Sequence, residues 1–300
     1  MLTEAVISTP VATLWRMPDA VRPVDAAALL PQADMAAWLS SMSCADTIAL
    51  CSEKRTETQA LFGERILIIE EKNGWANVRI PAQPSSKDKD GYPGWMPSCQ
   101  LTVGKLPLTE RISVTNKLAD LRLKTGRTLR LSYGTLLPLL HESPDTFVVN
   151  TPLGEGQINR SDACLYDRRA PLSGRDILRQ ATRFLHLPYL WAGMSAWGYD
   201  CSGFSYNMLR ACGYTIPRDA ADQAKSGTEI DKAAMQPGDL LFFAYDKGSG
   251  EIHHVGICAG HGAMLHSPTP GKKVSLTTLS GTTLEAELCT VRRFWQSGNP

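Results

Sequence analysis

The chain has 300 residues, a formal net charge of +1, 43% hydrophobic and 20% charged side chains. That is the composition of an ordinary globular protein with room for two or three domains of ~100–200 residues each. A charge so nearly balanced, with no basic block, excludes a large field for nucleic acid or an anionic membrane, and no apolar run approaches the ~20 residues that span a bilayer.

The opening "MLTEAVISTPVATLWRMPDA" lacks a basic n-region and a long apolar h-region, so it does not read as a secretory signal; a cytoplasmic location is expected. "ADMAAWLSSMS" (33–43) reads as a short helix. "RILIIEE" (65–71) and "WANVRIP" (75–81) flank Asn73-Gly74, a strong hairpin signal. The polar tract 82–95 reads as a loop, with Trp95 returning the chain to order. Further β-like runs follow in "LRLSYGTLLPLL" (129–140), "TFVVNTP" (146–152) and "EGQINRSDACL" (155–165). Two small barrels in tandem, over 1–110 and 111–168, are expected.

From residue 171 the texture changes. "SGRDILRQATRFLHLPYLW" opens on a Ser cap and continues at helical spacing through Ile177, Leu178, Ala181, Phe184 and Leu185. "DCSGFSYNMLR" starts a second helix at Cys201. "DLLFFAY" (239–245), "HHVGICAG" (253–260), "GAMLHSP" (262–268) and "CTVRRFW" (289–295) read as strands. Helices first and strands after give an α+β domain over 171–300.

Eight cysteines, at 44, 51, 99, 164, 201, 212, 258 and 289, form no CxxC pair and no metal-ligand spacing. Seven are read as packing residues. Cys201 differs because the first turn of a helix favours a thiolate. A nucleophilic thiol needs a base, and the base needs an orienting partner. In "IHHVGI" alternation puts His254 and Gly256 on one face and His253 on the other, while a neighbouring antiparallel strand lays His266 beside His254. The same residues could form a zinc site, but no short ligand pair presents itself. Neither metal nor cofactor is expected.

In order, "YLWAG" (189–193), "DCSGF" (200–204), "PGDLLFF" (237–243), "HHVGI" (253–257) and "LHSP" (265–268) resemble the NlpC family of papain-like cell-wall cysteine peptidases. "VATLW", "ETQALFGE" (57–64), "NGWANV" (73–78) and "GYPGWMP" (91–97) are similar to the first bacterial SH3-like domain of the YkfC-type members. The resemblance is weakest over 111–168. It implies a papain-like catalytic domain preceded by two SH3-like barrels. It makes Cys201 the nucleophile, His254 the base, His266 the orienting residue, and Tyr189, with the Cys201 backbone N–H, the oxyanion donors. It further implies that Trp191, Asp200 and Ser202 line the pocket for a γ-linked D-glutamate, and that Glu57, Tyr92 and Asp219 surround the free amine of a terminal L-alanine.

The substrate implied is a murein stem peptide, cut between D-glutamate and L-lysine or meso-diaminopimelate. Two departures from the family pattern are visible. Ala192 stands where relatives carry a second glycine, read as a harmless change. Ala220 stands where they carry serine, which removes one hydroxyl near the substrate. A non-catalytic wall-binding protein and a thioester-based acyltransferase are the competing readings.

Overall fold

The computed structural model describes residues 2–166 and 171–295, so the expected domain ends at 168 and 300 lie outside the described residues. The chain divides into two compact units. One holds the residues up to 166 together with Met194–Trp197; the other holds the remainder from 171 onward.

The first unit contains two seven-stranded antiparallel sheets, each curled over its own apolar core. In the first sheet, Arg65–Lys72 and Trp75–Ile80 form the expected hairpin. Asn73 (φ +52°) and Gly74 (φ +79°) both adopt the left-handed conformation that such a two-residue turn requires. The expected loop 82–95 is corrected at its end: Tyr92–Pro97 is a strand, pairing Tyr92 with Ile80 and Asn77 with Trp95. Tyr92 is therefore a core residue and not a loop residue. The expected 33–43 helix is observed over Met35–Ser41, capped by Asp34. A second helix, Cys44–Ser52, starts at once, because Ser43 and Asp46 form a reciprocal capping box.

The run 129–140 is two strands, Thr128–Ser132 and Leu136–Glu142, in the second sheet. Gly134, at φ +79°, turns the chain between them. Phe62, in the turn after the strand Thr56–Leu61, fills part of the second core.

In the second unit, Ser173 caps the helix Gly174–Thr182, again through a capping box with Asp176. This helix is shorter than its apolar period suggests: it ends at Thr182, and the chain turns over residues 183–186, with His186 at φ +69°. Phe184 reaches the core from the turn instead. The second helix, Cys201–Ala211, is capped by Asp200 and packs against the strand Ile252–Gly260. The sheet runs Thr228–Ile230, Leu288–Arg293, Leu240–Ala244, Ile252–Gly260, Ala263–His266, Ser275–Thr278. Both outer strands are short and polar, and sequence periodicity gave no sign of them. Helices followed by an antiparallel sheet make this unit α+β. No helix among the described residues is long and apolar enough to cross a membrane.

Candidate active site

Cys201 is the first residue of its helix, and the Asp200 carboxylate accepts from the Gly203 amide at 2.6 Å. The backbone amide of Val255 is near enough to the Cys201 thiol to favour its charged form. That proximity sets the thiol one residue along the strand from His254. Pairing of Ile257 with Leu265 puts His266 across from Gly256 and diagonal to His254. The two imidazoles meet, His254 Nε2 to His266 Nδ1, at 2.7 Å with their rings edge-on. His266 Nε2 reaches Thr277 Oγ1 at 3.0 Å.

The chain of contacts has a chemical direction. With His254 Nε2–H donating to His266 Nδ1, and His266 Nε2–H donating to Thr277, the lone pair of His254 Nδ1 is left to accept a proton. Thr277 was not foreseen. It lies on the polar outer strand, and no sequence spacing links it to His266.

Tyr199 joins the parts of the site. Its carbonyl accepts from the Leu190 amide at 3.1 Å and from the Ser267 hydroxyl at 2.7 Å. The residue after His266 and the residue after Tyr189 are thus anchored two positions before Cys201. Tyr189 itself is buried and bridges Tyr199. Asp200 and Ser202 are engaged by buried Arg218. The guanidinium donates to Asp200 Oδ2 at 2.7 Å and Oδ1 at 3.2 Å, and to Ser202 Oγ at 2.8 Å. Gln223, also unforeseen, donates to the Ser202 carbonyl at 3.1 Å and the Pro217 carbonyl at 2.8 Å. Asp219 begins the short helix Ala220–Gln223 and lies 4.0 Å from Arg218.

Glu57 and Tyr92 belong to the first unit, where a side chain missed in the sequence joins them: Lys87 donates to both. His253 stacks on Tyr245 and bonds Glu287 at 3.2 Å, and its ring centre lies 6.4 Å from that of His254. The pairing shifts register between Phe243 and Ala244, so a bulge interrupts the simple alternation expected here. None of the eight cysteines is in a disulfide, and only Cys212 and Cys258 are buried as whole residues, which corrects the expectation of seven packing thiols. Among the described residues no three His, Cys, Asp or Glu side chains are placed to hold a metal ion.

Two further expectations change. Ala192 has φ +63°, where a Cβ crowds its own backbone by about 1–2 kcal/mol, so replacing the glycine of relatives is not free of strain. The helix start does not yield a resting thiolate. Burial pushes the Cys201 thiol up to about 12, and the neighbouring Asp200 charge adds to the shift. Burial also pushes His254 down to about 3 and His266 down to about 4. The resting pair is a neutral thiol and a neutral imidazole.

Those two histidines make stability depend on pH. Between the unfolded value of about 6.5 and the depressed folded values, the unfolded chain binds more protons, so stability falls as pH falls. Each contributes up to ~1.4 kcal/mol per pH unit in that window. Denaturant unfolding of His266→Asn at pH 5 and 6 is expected to show a shallower slope than wild type by about one such contribution. Equal slopes would mean that His266 is not held neutral.

Gly256 explains the glycine of "HHVGI". A Cβ there would lie 2.5 Å from the Met264 sulfur and 3.2 Å from the His266 Cβ. Gly256→Ala therefore displaces His266 from His254, and kcat/KM is expected to fall on the order of tenfold while the protein stays folded. A catalytic rate within twofold of wild type would contradict this.

Three family models match the chain: the NlpC/P60 family over residues 186–293, a bacterial dipeptidyl-peptidase SH3 domain over 52–101, and a YkfC second SH3b domain over 114–166. The chain is 43% identical to the γ-D-glutamyl-L-lysine dipeptidyl-peptidase of Bacillus subtilis, covering 97% of this chain and 99% of that one. It is 35% identical to the protein of the same name in Bacillus cereus, covering 97% and 91%. A crystal structure of an NlpC/P60 family protein from Bacillus cereus superposes with a TM-score of 0.94 at 34% identity, over 98% of this chain and 100% of that one. The probable endopeptidase p60 of Listeria seeligeri is 40% identical, but over only 32% of this chain and 18% of its own length. The chain belongs to the NlpC/P60 family of cysteine peptidases, with two bacterial SH3 domains preceding the catalytic domain in sequence.

Proposed function

We propose that this enzyme hydrolyses the bond between γ-D-glutamate and L-lysine or meso-diaminopimelate in murein stem peptides with a free N-terminal L-alanine, releasing L-Ala-γ-D-Glu. The observation that carries the reading is the likeness to γ-D-glutamyl-L-lysine dipeptidyl-peptidases along nearly the whole chain, both SH3 domains included. A likeness limited to the catalytic domain would support only a general wall endopeptidase.

In the proposed reaction, the Cys201 proton passes to His254 Nδ1 as sulfur attacks the γ-carbonyl carbon. A neutral resting pair places that transfer within the attack itself. The oxyanion is taken by the Cys201 backbone N–H and the Tyr189 hydroxyl. When the C–N bond breaks, His254 returns the proton to the departing amine, leaving a thioester. Water, deprotonated by His254, then attacks the thioester carbon, and the sulfur recovers a proton. His266, backed by Thr277, holds His254 in the tautomer with Nδ1 free. Trp191, Asp200 and Ser202 form the D-glutamate pocket in this reading, and Arg218 fixes the latter two. Glu57, Tyr92 and Asp219 take the alanine ammonium.

A free alanine amine exists only on peptides already detached from the glycan, so the enzyme acts after an amidase-type cleavage. The proposed setting is cytoplasmic recycling of such released peptides. The test is incubation with L-Ala-γ-D-Glu-L-Lys and its N-acetylated form, with products identified by mass. The reading expects free lysine and the dipeptide from the first and little or nothing from the second. Cleavage of both at similar rates would overturn it.

A further inference from the structure

The carboxylate and phenol assigned to the substrate's ammonium are already in contact with an ammonium. Lys87 Nζ donates to Glu57 Oε2 at 2.6 Å and to the Tyr92 hydroxyl oxygen at 2.5 Å. It also lies 4.4 Å from the centre of the Tyr92 ring. A primary ammonium set on a carboxylate, a phenol oxygen and an aromatic face has the chemistry of a peptide's free N-terminus.

The head group is held while its loop is fixed by other bonds. Asp88 pairs with Arg79 at 2.6 Å and accepts from the Asp90 amide at 2.9 Å, and the Lys87 amide donates to Ser85 at 3.1 Å. Lys87 can therefore leave Glu57 by rotating its flexible four-carbon stem, without unfolding the loop. The pair is also open to solvent: the Lys87 side chain is 41% exposed and that of Glu57 22%. Both border a cavity of about 260 Å³ in the same unit, with Arg16, Asn77, Arg79 and Trp95.

We propose that Lys87 is an internal occupant of the amine site. It neutralises Glu57 in the empty enzyme and is displaced by the α-ammonium of the bound peptide. The inference rests on the reading of Glu57 and Tyr92 given above. The peptide then binds only to the fraction of molecules in which Lys87 has left, so its apparent affinity is lowered by that fraction. An occupant of this kind also sets a threshold: a weak or misplaced cation does not displace it.

The experiment measures the dissociation constant of L-Ala-γ-D-Glu-L-Lys by calorimetry in the Cys201→Ser background, where the peptide is not consumed. Adding Lys87→Met or Lys87→Gln is expected to tighten binding about two- to fivefold, the size of a partly exposed ion pair. The N-acetylated peptide is expected to show no such gain. Adding Glu57→Gln instead is expected to weaken binding of the free-amine peptide at least tenfold. If Glu57→Gln weakens binding while both Lys87 variants leave it unchanged or weaker, the amine site stands and Lys87 is not its occupant. If Glu57→Gln has no effect, the amine site itself is wrong and the inference falls with it.

Discussion

Cys201→Ser is expected to lose turnover on the order of 10⁴-fold or more while keeping the wild-type melting temperature within a few degrees. The loss follows from chemistry. A hydroxyl is a far weaker nucleophile than a thiol in the same place, and His254 Nδ1 would have to take a less acidic proton. Folding is spared because Asp200 still caps the helix through the Gly203 amide, and serine is nearly isosteric with cysteine. Cys212→Ser is the control, since that buried thiol lies at the far end of the same helix. Alkylation offers a second view. The exposed Cys44 and Cys99 should react with iodoacetamide before Cys201, whose thiol burial holds protonated. Activity should follow modification of Cys201 alone, as mapped by peptide mass. A well-folded Cys201→Ala protein retaining a tenth of wild-type activity would remove this residue from the mechanism.

The parts of this architecture that were legible in the sequence are those written in local pattern. The Asn73-Gly74 hairpin and the Ser173 cap both depend on residues close in sequence, whereas the alternation expected at His253 and His254 is interrupted by a register shift against the neighbouring strand. The strand Tyr92–Pro97 was hidden because Pro93, Gly94 and Pro97 carry no β signal, and only pairing with Trp75–Ile80 makes it a strand. The polar strand Ser275–Thr278 was hidden because it is a four-residue edge strand, and Thr277 with it. Its role is created by the register that brings it beside His266. Lys87 sits in a run of alternating charges that reads as solvated surface, and only folding of the first sheet carries it to Glu57, thirty positions away. The protonation of Cys201 was misjudged because a helix start is a local feature, whereas burial is not. Desolvation and the Asp200 charge outweigh the few tenths to about 1 kcal/mol that a helix terminus supplies.

Glu57→Ala is expected to lower kcat/KM for L-Ala-γ-D-Glu-L-Lys by about 30- to 150-fold. Truncating one side of a buried hydrogen-bonded charge pair costs ~2–5 kcal/mol. The lower part of that range applies, because Glu57 is partly exposed and Tyr92 and Asp219 remain in the proposed site. At ~1.4 kcal/mol per tenfold, ~2–3 kcal/mol gives the stated loss. The bond to Lys87 trims the effect further toward the lower figure, since the carboxylate is not idle in the empty enzyme. Acetylating the alanine amine should harm the wild type at least as much, because it deletes the cation and adds bulk beside the carboxylate. In Glu57→Ala the acetyl group should cost relatively less, since the partner it deprives is already gone. Measuring kcat/KM for both proteins on both peptides closes a double-mutant cycle between Glu57 and the substrate amine. A coupling near 2 kcal/mol is the expected result. Equal acetylation penalties in the two proteins would mean that Glu57 does not sense the amine. The first SH3 domain would then serve anchoring, and the preference for a free N-terminus would have to come from the catalytic domain alone.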